Sequence, residues 1–121
     1  MSMRCMALGL GWLMAISVAS VAAAGPAVAT RWNNAHMSQE ECLKRAEETI
    51  ARVGFGGLER SQQSRFGTRE DYTASVRCIV SNWIVVFIAS GPSRTRADEL
   101  AGALFQNFKV EQLPPIRPES R

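Results

Sequence analysis

The sequence predicts a small α+β domain, in which an antiparallel sheet of about three strands carries two helices on one face, in the order α-β-β-β-α. Two segments, centred near residues 45 and 102, place their apolar residues at helical spacing. Between them, a segment that alternates apolar and polar residues leads into an uninterrupted apolar run. A sheet with both helices on the same side would bury all of these apolar stripes together.

Residues 1–29 are organised like an export signal. Arg4 is their only charge, and it precedes an apolar segment from Cys5 to Ala24. Small residues at alternate positions form two possible signal-peptidase sites. The preferred site is after Ala29, and the second is after Ala24. An uncleaved membrane anchor is the alternative, because no further charge occurs before Arg31. We therefore expect a periplasmic or secreted protein with no stable membrane insertion once the signal is cleaved.

The cysteines are consistent with an oxidising compartment. Cleavage removes Cys5 and leaves Cys42 and Cys78. An even number of cysteines in an exported chain favours a disulfide, so we predict a structural bridge between Cys42 and Cys78. Two buried free thiols are the alternative. The spacing of 36 residues fits no zinc pattern.

The chain after the signal divides into three parts. Residues 30–37 are polar and are predicted to be a flexible N-terminal segment, and residues 38–110 to be a single domain. Residues 111–121 contain Pro114, Pro115 and Pro118 and are predicted to be a flexible tail.

The first helix is predicted over Gln39–Val53. Ser38 and Glu41 form a capping-box pattern at its start. Gly54 is placed to end the helix, with Phe55 folding back on its last turn.

The middle of the chain supplies the strands. Gly56–Gly67 is either a polar edge strand near Leu58–Arg65 or a mobile loop. Tyr72–Val80 alternates and is predicted to be a half-buried strand, which Ser81-Asn82 connects to the apolar run Trp83–Ala89. Because that run is apolar at every position, both of its faces are expected to be at least partly covered.

The second helix is predicted over Arg94–Phe108, and the loop before it is the one candidate binding site. Hydroxyl and guanidinium groups at a helix N-terminus suit an anion, because free backbone N–H groups and the helix dipole favour negative charge there. The candidate residues are Ser93, Arg94, Thr95 and Arg96. Capping by Ser93 or Thr95, together with ordinary surface charge, explains the same pattern.

No catalytic, cofactor-binding or metal-binding residue is predicted, and we do not expect an enzyme. The only histidine, His36, lies in the polar N-terminal segment, so Ser93 has no plausible base. A small hydrolase is therefore the least favoured alternative. Four aromatic residues either line a small apolar pocket or belong to the core: Trp83, Phe87, Phe105 and Phe108.

Charge excludes one class of partner. The net charge is +3, and basic and acidic residues are interspersed without a basic stripe, so nucleic-acid binding is not expected. The expected function is a non-catalytic binding or interaction module whose partner is an unknown protein of the envelope or the extracellular space. A small ligand- or anion-binding protein is the alternative, and the oligomeric state stays open.

The pattern as a whole resembles small exported bacterial proteins of unknown function. The resemblance rests on an early helical Cys42, on Gly54-Phe55, on the strands Tyr72–Cys78 and Trp83–Gly91, and on the helix Ala97–Phe108. It implies a signal peptide and a two-cysteine α+β domain, and no activity comes with it.

Overall fold

The computed structural model describes residues 25–112, with side chains as far as Lys109. Most of the predicted export signal and the tail after Gln112 therefore lie outside the described residues. In chain order the elements are β1 (Ala27–Asn34), α1 (Gln39–Arg52), β2 (Gly56–Arg60), β3 (Ser64–Arg69), β4 (Tyr72–Ile79), a 3₁₀ turn (Val80–Asn82), β5 (Ile84–Gly91) and α2 (Arg94–Gln112).

The sheet has five antiparallel strands in the order β1-β5-β4-β3-β2. The α+β class and the two helices agree with the sequence analysis, whereas three strands in the order α-β-β-β-α is wrong. The observed order is β-α-β-β-β-β-α. Both helices lie on the same face, α1 over β4 and β3 and α2 over β1 and β5.

The first missing strand is β1. The segment predicted to be flexible, residues 30–37, instead supplies the second half of β1 and the turn into α1. The other half, Ala27–Ala29, comes from the stretch assigned to the export signal. The strand forms because all eight residues pair with β5, from Ala27 opposite Gly91 to Asn34 opposite Ile84. The side chains of β1 give little indication of a strand in the sequence, because only Ala29 is buried.

The second correction concerns Gly56–Gly67, where two strands replace one. β2 and β3 form a hairpin, and its turn at residues 61–63 falls inside the strand predicted near Leu58–Arg65. Gly67 ends the predicted segment yet lies inside β3. A Cβ atom at Gly67 would lie 2.7 Å from Ile50 Cγ2 and 2.9 Å from Phe55 Cβ. Glycine therefore marks a close approach of β3 to α1 here, and not a loop.

The start and end of α1 follow the predicted local chemistry. The Ser38 hydroxyl accepts a hydrogen bond from the Glu41 backbone N–H at 3.0 Å. The helix ends at Arg52, one residue earlier than predicted, and Gly54 adopts φ +97°. The Phe55 N–H then donates to the Ile50 carbonyl at 3.0 Å, which returns Phe55 to the core as predicted.

The predicted hairpin of β4 and β5 is present with shifted ends. The connection is a 3₁₀ turn, and Trp83 has left-handed backbone dihedrals with φ 59°. β5 therefore begins at Ile84 and continues to Gly91. α2 begins at Arg94 as predicted but extends to Gln112, so it includes the first two residues of the predicted tail.

The predicted Cys42–Cys78 disulfide is confirmed. The two Cα atoms are 6.1 Å apart, and both cysteines are fully buried. The bridge joins the first turn of α1 to the helix-facing side of β4. Beside it, Gln39 Nε2 donates to the Cys78 carbonyl at 2.9 Å, which adds a second link between helix and strand.

Candidate functional site

The four residues predicted as an anion site lie together in the first turn of α2, where internal contacts occupy several of their groups. Ser93 is the cap, because its hydroxyl accepts from the Arg96 N–H at 3.2 Å. The Ser93 N–H donates to the Tyr72 hydroxyl at 3.0 Å. The Arg96 guanidinium pairs with Glu99 at 3.1 Å. Arg94 and Thr95 are exposed. Capping thus accounts for Ser93, and anion binding stays a prediction.

Ser93 and His36 lie at opposite ends of β5, so they do not form a nucleophile–base pair. His36 lies beside Trp83, where β5 begins, and Ser93 follows Gly91, where β5 ends. Eight residues of strand separate the two ends by about 25 Å at about 3.3 Å per residue. The His36 ring instead stacks on Trp83, with centroids 4.9 Å apart.

The four aromatic residues considered as a pocket do not line one together. Phe87 and Phe108 are fully buried and pack edge to face with centroids 5.3 Å apart, while Phe105 packs against Phe87 at 6.0 Å. These three rings belong to the core between α2 and the sheet. Trp83 lies apart from them and is 53% exposed.

A cluster of three charged residues joins α1 to the β2–β3 hairpin. The Glu47 carboxylate accepts from Arg60 Nε at 2.8 Å and from Arg65 Nε at 2.7 Å. These two hydrogen bonds hold the pKa of Glu47 below its usual value, and the bond from Arg60 has the larger effect. A carboxylate already bonded by two guanidinium groups is a poor general base, so we interpret the cluster as a clamp that holds the hairpin against the helix.

A shallow crevice lies at the start of α1. It is lined by Ser38, Glu40, Glu41 and Lys44. Glu40 and Lys44 are exposed on the first turns of the helix. No His, Cys, Asp or Glu cluster within the described range has the three members that a metal ion needs.

The remaining candidate is the side of the sheet that faces away from both helices, which we call the open face. Alternate strand residues point to opposite sides, and the helix-facing set is buried, as Val76, Val85 and Phe87 show. The other set forms the open face. Its apolar members are Val28 and Trp32 from β1, Ile84, Val86 and Ile88 from β5, Ile79 from β4 and Phe66 from β3.

Strand register makes these apolar side chains neighbours. Trp32 lies opposite Val86, and Ile84 lies opposite Ile79. Trp32 is nonetheless 61% exposed and Val28 is 51% exposed. Within residues 25–112 both helices pack on the other side of the sheet, so these side chains face solvent. Exposed apolar surface of this kind is typical of interaction sites.

The open face was not among the features predicted from the sequence, although the sequence carries a signal for it. The run Trp83–Ala89 is apolar on both faces, which predicted that both faces are at least partly covered. Within residues 25–112, the helices cover only the face that carries Val85, Phe87 and Ala89. Apolar residues on the strand face that neither helix covers were therefore the sequence signal for an exposed apolar surface.

No protein-family model matches the chain, and no curated protein is significantly similar to it. Neither helix in the described range is long and apolar enough to cross a membrane.

Proposed function

We propose that this chain is an exported, non-catalytic binding module that contacts a protein partner through its open face. The observation that carries the proposal is Trp32, a large aromatic side chain of β1 that is 61% exposed. Tryptophan contributes more to interface affinity than most residues, because it combines a large apolar area with few rotatable bonds. Val86 and Ile88 extend the same surface along β5.

The polarity of the open face fits a protein surface. Among the described strand residues, the charged side chains that point to the open face are Arg77 on β4 and Glu59 on β2, away from β1. The Arg77 guanidinium donates to Gln63 Oε1 at 2.6 Å. An apolar centre with a polar rim is the usual composition of a protein–protein interface.

Site-specific photo-crosslinking in the producing cell tests the proposal. A photoreactive residue at Ile88 is central on the open face, and one at Glu48 lies exposed on α1 as the matched control. We expect an adduct with a different protein from position 88 and none from position 48, with the Cys42–Cys78 bridge intact in both. The proposal is contradicted if position 88 yields no such adduct, or if both positions yield the same one.

Export is the second part of the proposal. The disulfide supports an oxidising compartment, since cytosolic thiols are kept reduced. β1 also bears on the cleavage position, because cleavage after Ala29 would remove Ala27, Val28 and Ala29 from the strand. Cleavage after Ala24 leaves β1 whole, so we now favour a mature chain that begins at Gly25. The mass of the N-terminal peptide of the exported protein decides between the sites, and retention of Met1 would contradict cleavage.

A further inference from the structure

The two edges of the sheet differ in how they are protected. β2 has five exposed residues that include two glycines, Glu59 and Arg60, and its pairing with β3 is interrupted by a register shift between Gly56 and Glu59. Short length, charge and bulges are the usual protection against pairing with another chain. β1 has eight residues in unbroken register and contains no proline, and its one charged residue, Arg31, is paired with Asp98 of α2. β1 is therefore the edge at which another strand can add.

One hydrogen bond shows which backbone groups of β1 point away from the sheet. The Ala35 N–H donates to the Trp83 carbonyl at 2.8 Å, so Ala35 points toward β5. Backbone groups alternate along an antiparallel strand, and those of Val28, Thr30 and Trp32 consequently point away from the sheet. In agreement, the Thr30 carbonyl accepts a hydrogen bond from the Arg31 side chain at 3.1 Å.

We propose that β1 pairs antiparallel with β1 of a second copy of this chain, with Thr30 opposite Thr30 of the second copy. In this register Val28 of each copy lies opposite Trp32 of the other. The two exposed apolar side chains of the edge thus cover each other across the two-fold axis. Pairs of an aromatic and a β-branched residue, and pairs of threonines, are both favourable across strands.

Neighbouring symmetric registers are poorer. A shift of the two-fold axis to Arg31 would place the two Arg31 side chains opposite each other and would put Val28 opposite Asn34. In the proposed register Arg31 faces Ala29, and its charge is already balanced by Asp98 at 2.9 Å. A shift toward Ala29 would leave only five residues of each strand paired.

The position of α2 is compatible with this pairing. α2 lies over β1 and β5. With strands about 4.8 Å apart, each α2 would lie about 5 Å from the two-fold axis, so the two helices would be about 10 Å apart, within the usual packing distance.

The expected dimer is of modest strength. An interface about 25 Å long and about 20 Å high buries about 500 Å² on each copy, or about 1,000 Å² in total, near the lower limit for a specific interface. We therefore expect a dissociation constant in the micromolar range. This inference does not rest on the proposed function. Both use Trp32, but the pairing concerns the backbone edge of β1 and a second copy, whereas the proposed function concerns the open face as a whole and a different protein.

Sedimentation of protein expressed from the full chain and purified after export provides the first test. The wild type should shift from monomer to dimer as its concentration rises through the micromolar range. Thr30→Pro removes an N–H that points outward, which an edge strand tolerates, and costs two hydrogen bonds per dimer. The dissociation constant should rise about 30-fold, whereas Thr30→Val, which keeps the N–H, should stay within about threefold of the wild type. A wild type that remains monomeric at about 500 µM overturns the proposal.

Cysteine crosslinking provides a test of register that does not rely on the proline variant. Directly opposite residues that exchange hydrogen bonds have Cα atoms about 5.5 Å apart, within disulfide range. Thr30→Cys should therefore form a covalent dimer on mild oxidation. Val28→Cys should not, because in this register the two copies of residue 28 are four residues apart, or about 14 Å. The proposed register is overturned if Thr30→Cys stays monomeric, or if Val28→Cys crosslinks as readily.

Discussion

Replacing Gly67 with alanine tests how closely α1 packs on β3. The added methyl group would lie 2.7 Å from Ile50 Cγ2 and 2.9 Å from Phe55 Cβ, well inside the optimal carbon–carbon separation of about 3.5–4.0 Å. Neither neighbour can turn out into solvent without leaving the core, because Ile50 is 1% exposed and Phe55 is 5% exposed. Overpacking of a core costs about 1–3 kcal/mol. With two buried neighbours in conflict, we expect a loss of about 2–3 kcal/mol.

Thermal unfolding followed by circular dichroism, with the disulfide intact, measures the effect. For a domain of this size each kcal/mol lowers the melting temperature by about 4–8 °C, so Gly67→Ala should melt about 8–24 °C below the wild type. Gly56→Ala is the matched control on the adjacent strand, since no atom lies within 4 Å of its Cβ position. It should shift the melting temperature by less than about 4 °C. Equal melting temperatures for Gly67→Ala and the wild type would refute the packing described here.

Three further outcomes are expected. The double variant Cys42→Ala, Cys78→Ala should lose about 4 kcal/mol of unfolding free energy by the chain-entropy relation for a separation of 36 residues; a melting temperature within about 5 °C of the wild type would contradict this. Glu47→Gln should cost about 0.5–1 kcal/mol at pH 7. Because folding lowers the Glu47 pKa, its contribution is present above the ordinary value of 4.5 and is lost as the pH falls through the folded-state pKa, so urea titrations should show the difference shrinking toward pH 3. Tyr72→Phe removes the acceptor of the Ser93 N–H and should cost about 1 kcal/mol, with faster hydrogen exchange at the Ser93 amide; unchanged exchange would contradict this.

The elements that the sequence predicted well are those with local signals. Ser38 and Gly54 mark the two ends of α1 through hydrogen bonds to residues at most a few positions away. The alternation in Tyr72–Val80 similarly reflects one buried face. The even number of cysteines left after the predicted cleavage was enough to pair Cys42 with Cys78. In each case the physical cause lies within a short segment or in a simple count.

The elements that it missed depend on distant contacts. β1 is a strand because β5 pairs with it, and its polar side chains carry no pattern that reveals this partner. Gly67 resembles a loop residue until Ile50 and Phe55 are seen to occupy the space beside it. The open face was missed for a related reason, since the apolar run of β5 does not tell which of its faces a helix covers.

The pairing of β1 with β5 also has a consequence for how the chain acquires its structure. Ala27 and Gly91 are 64 residues apart in the chain, and Asn34 and Ile84 are 50 residues apart, so β1 is the strand with the most distant partner. During synthesis or translocation from the N-terminus, β1 emerges first, and its partner emerges after every other strand. Until β5 emerges, β1 has no strand to pair with, and its backbone groups stay exposed. Chains in this condition aggregate or bind chaperones. We expect completion of the sheet by β1 to be the slow step of folding, and the β1 amides to be the last to gain protection in pulse-labelled hydrogen exchange.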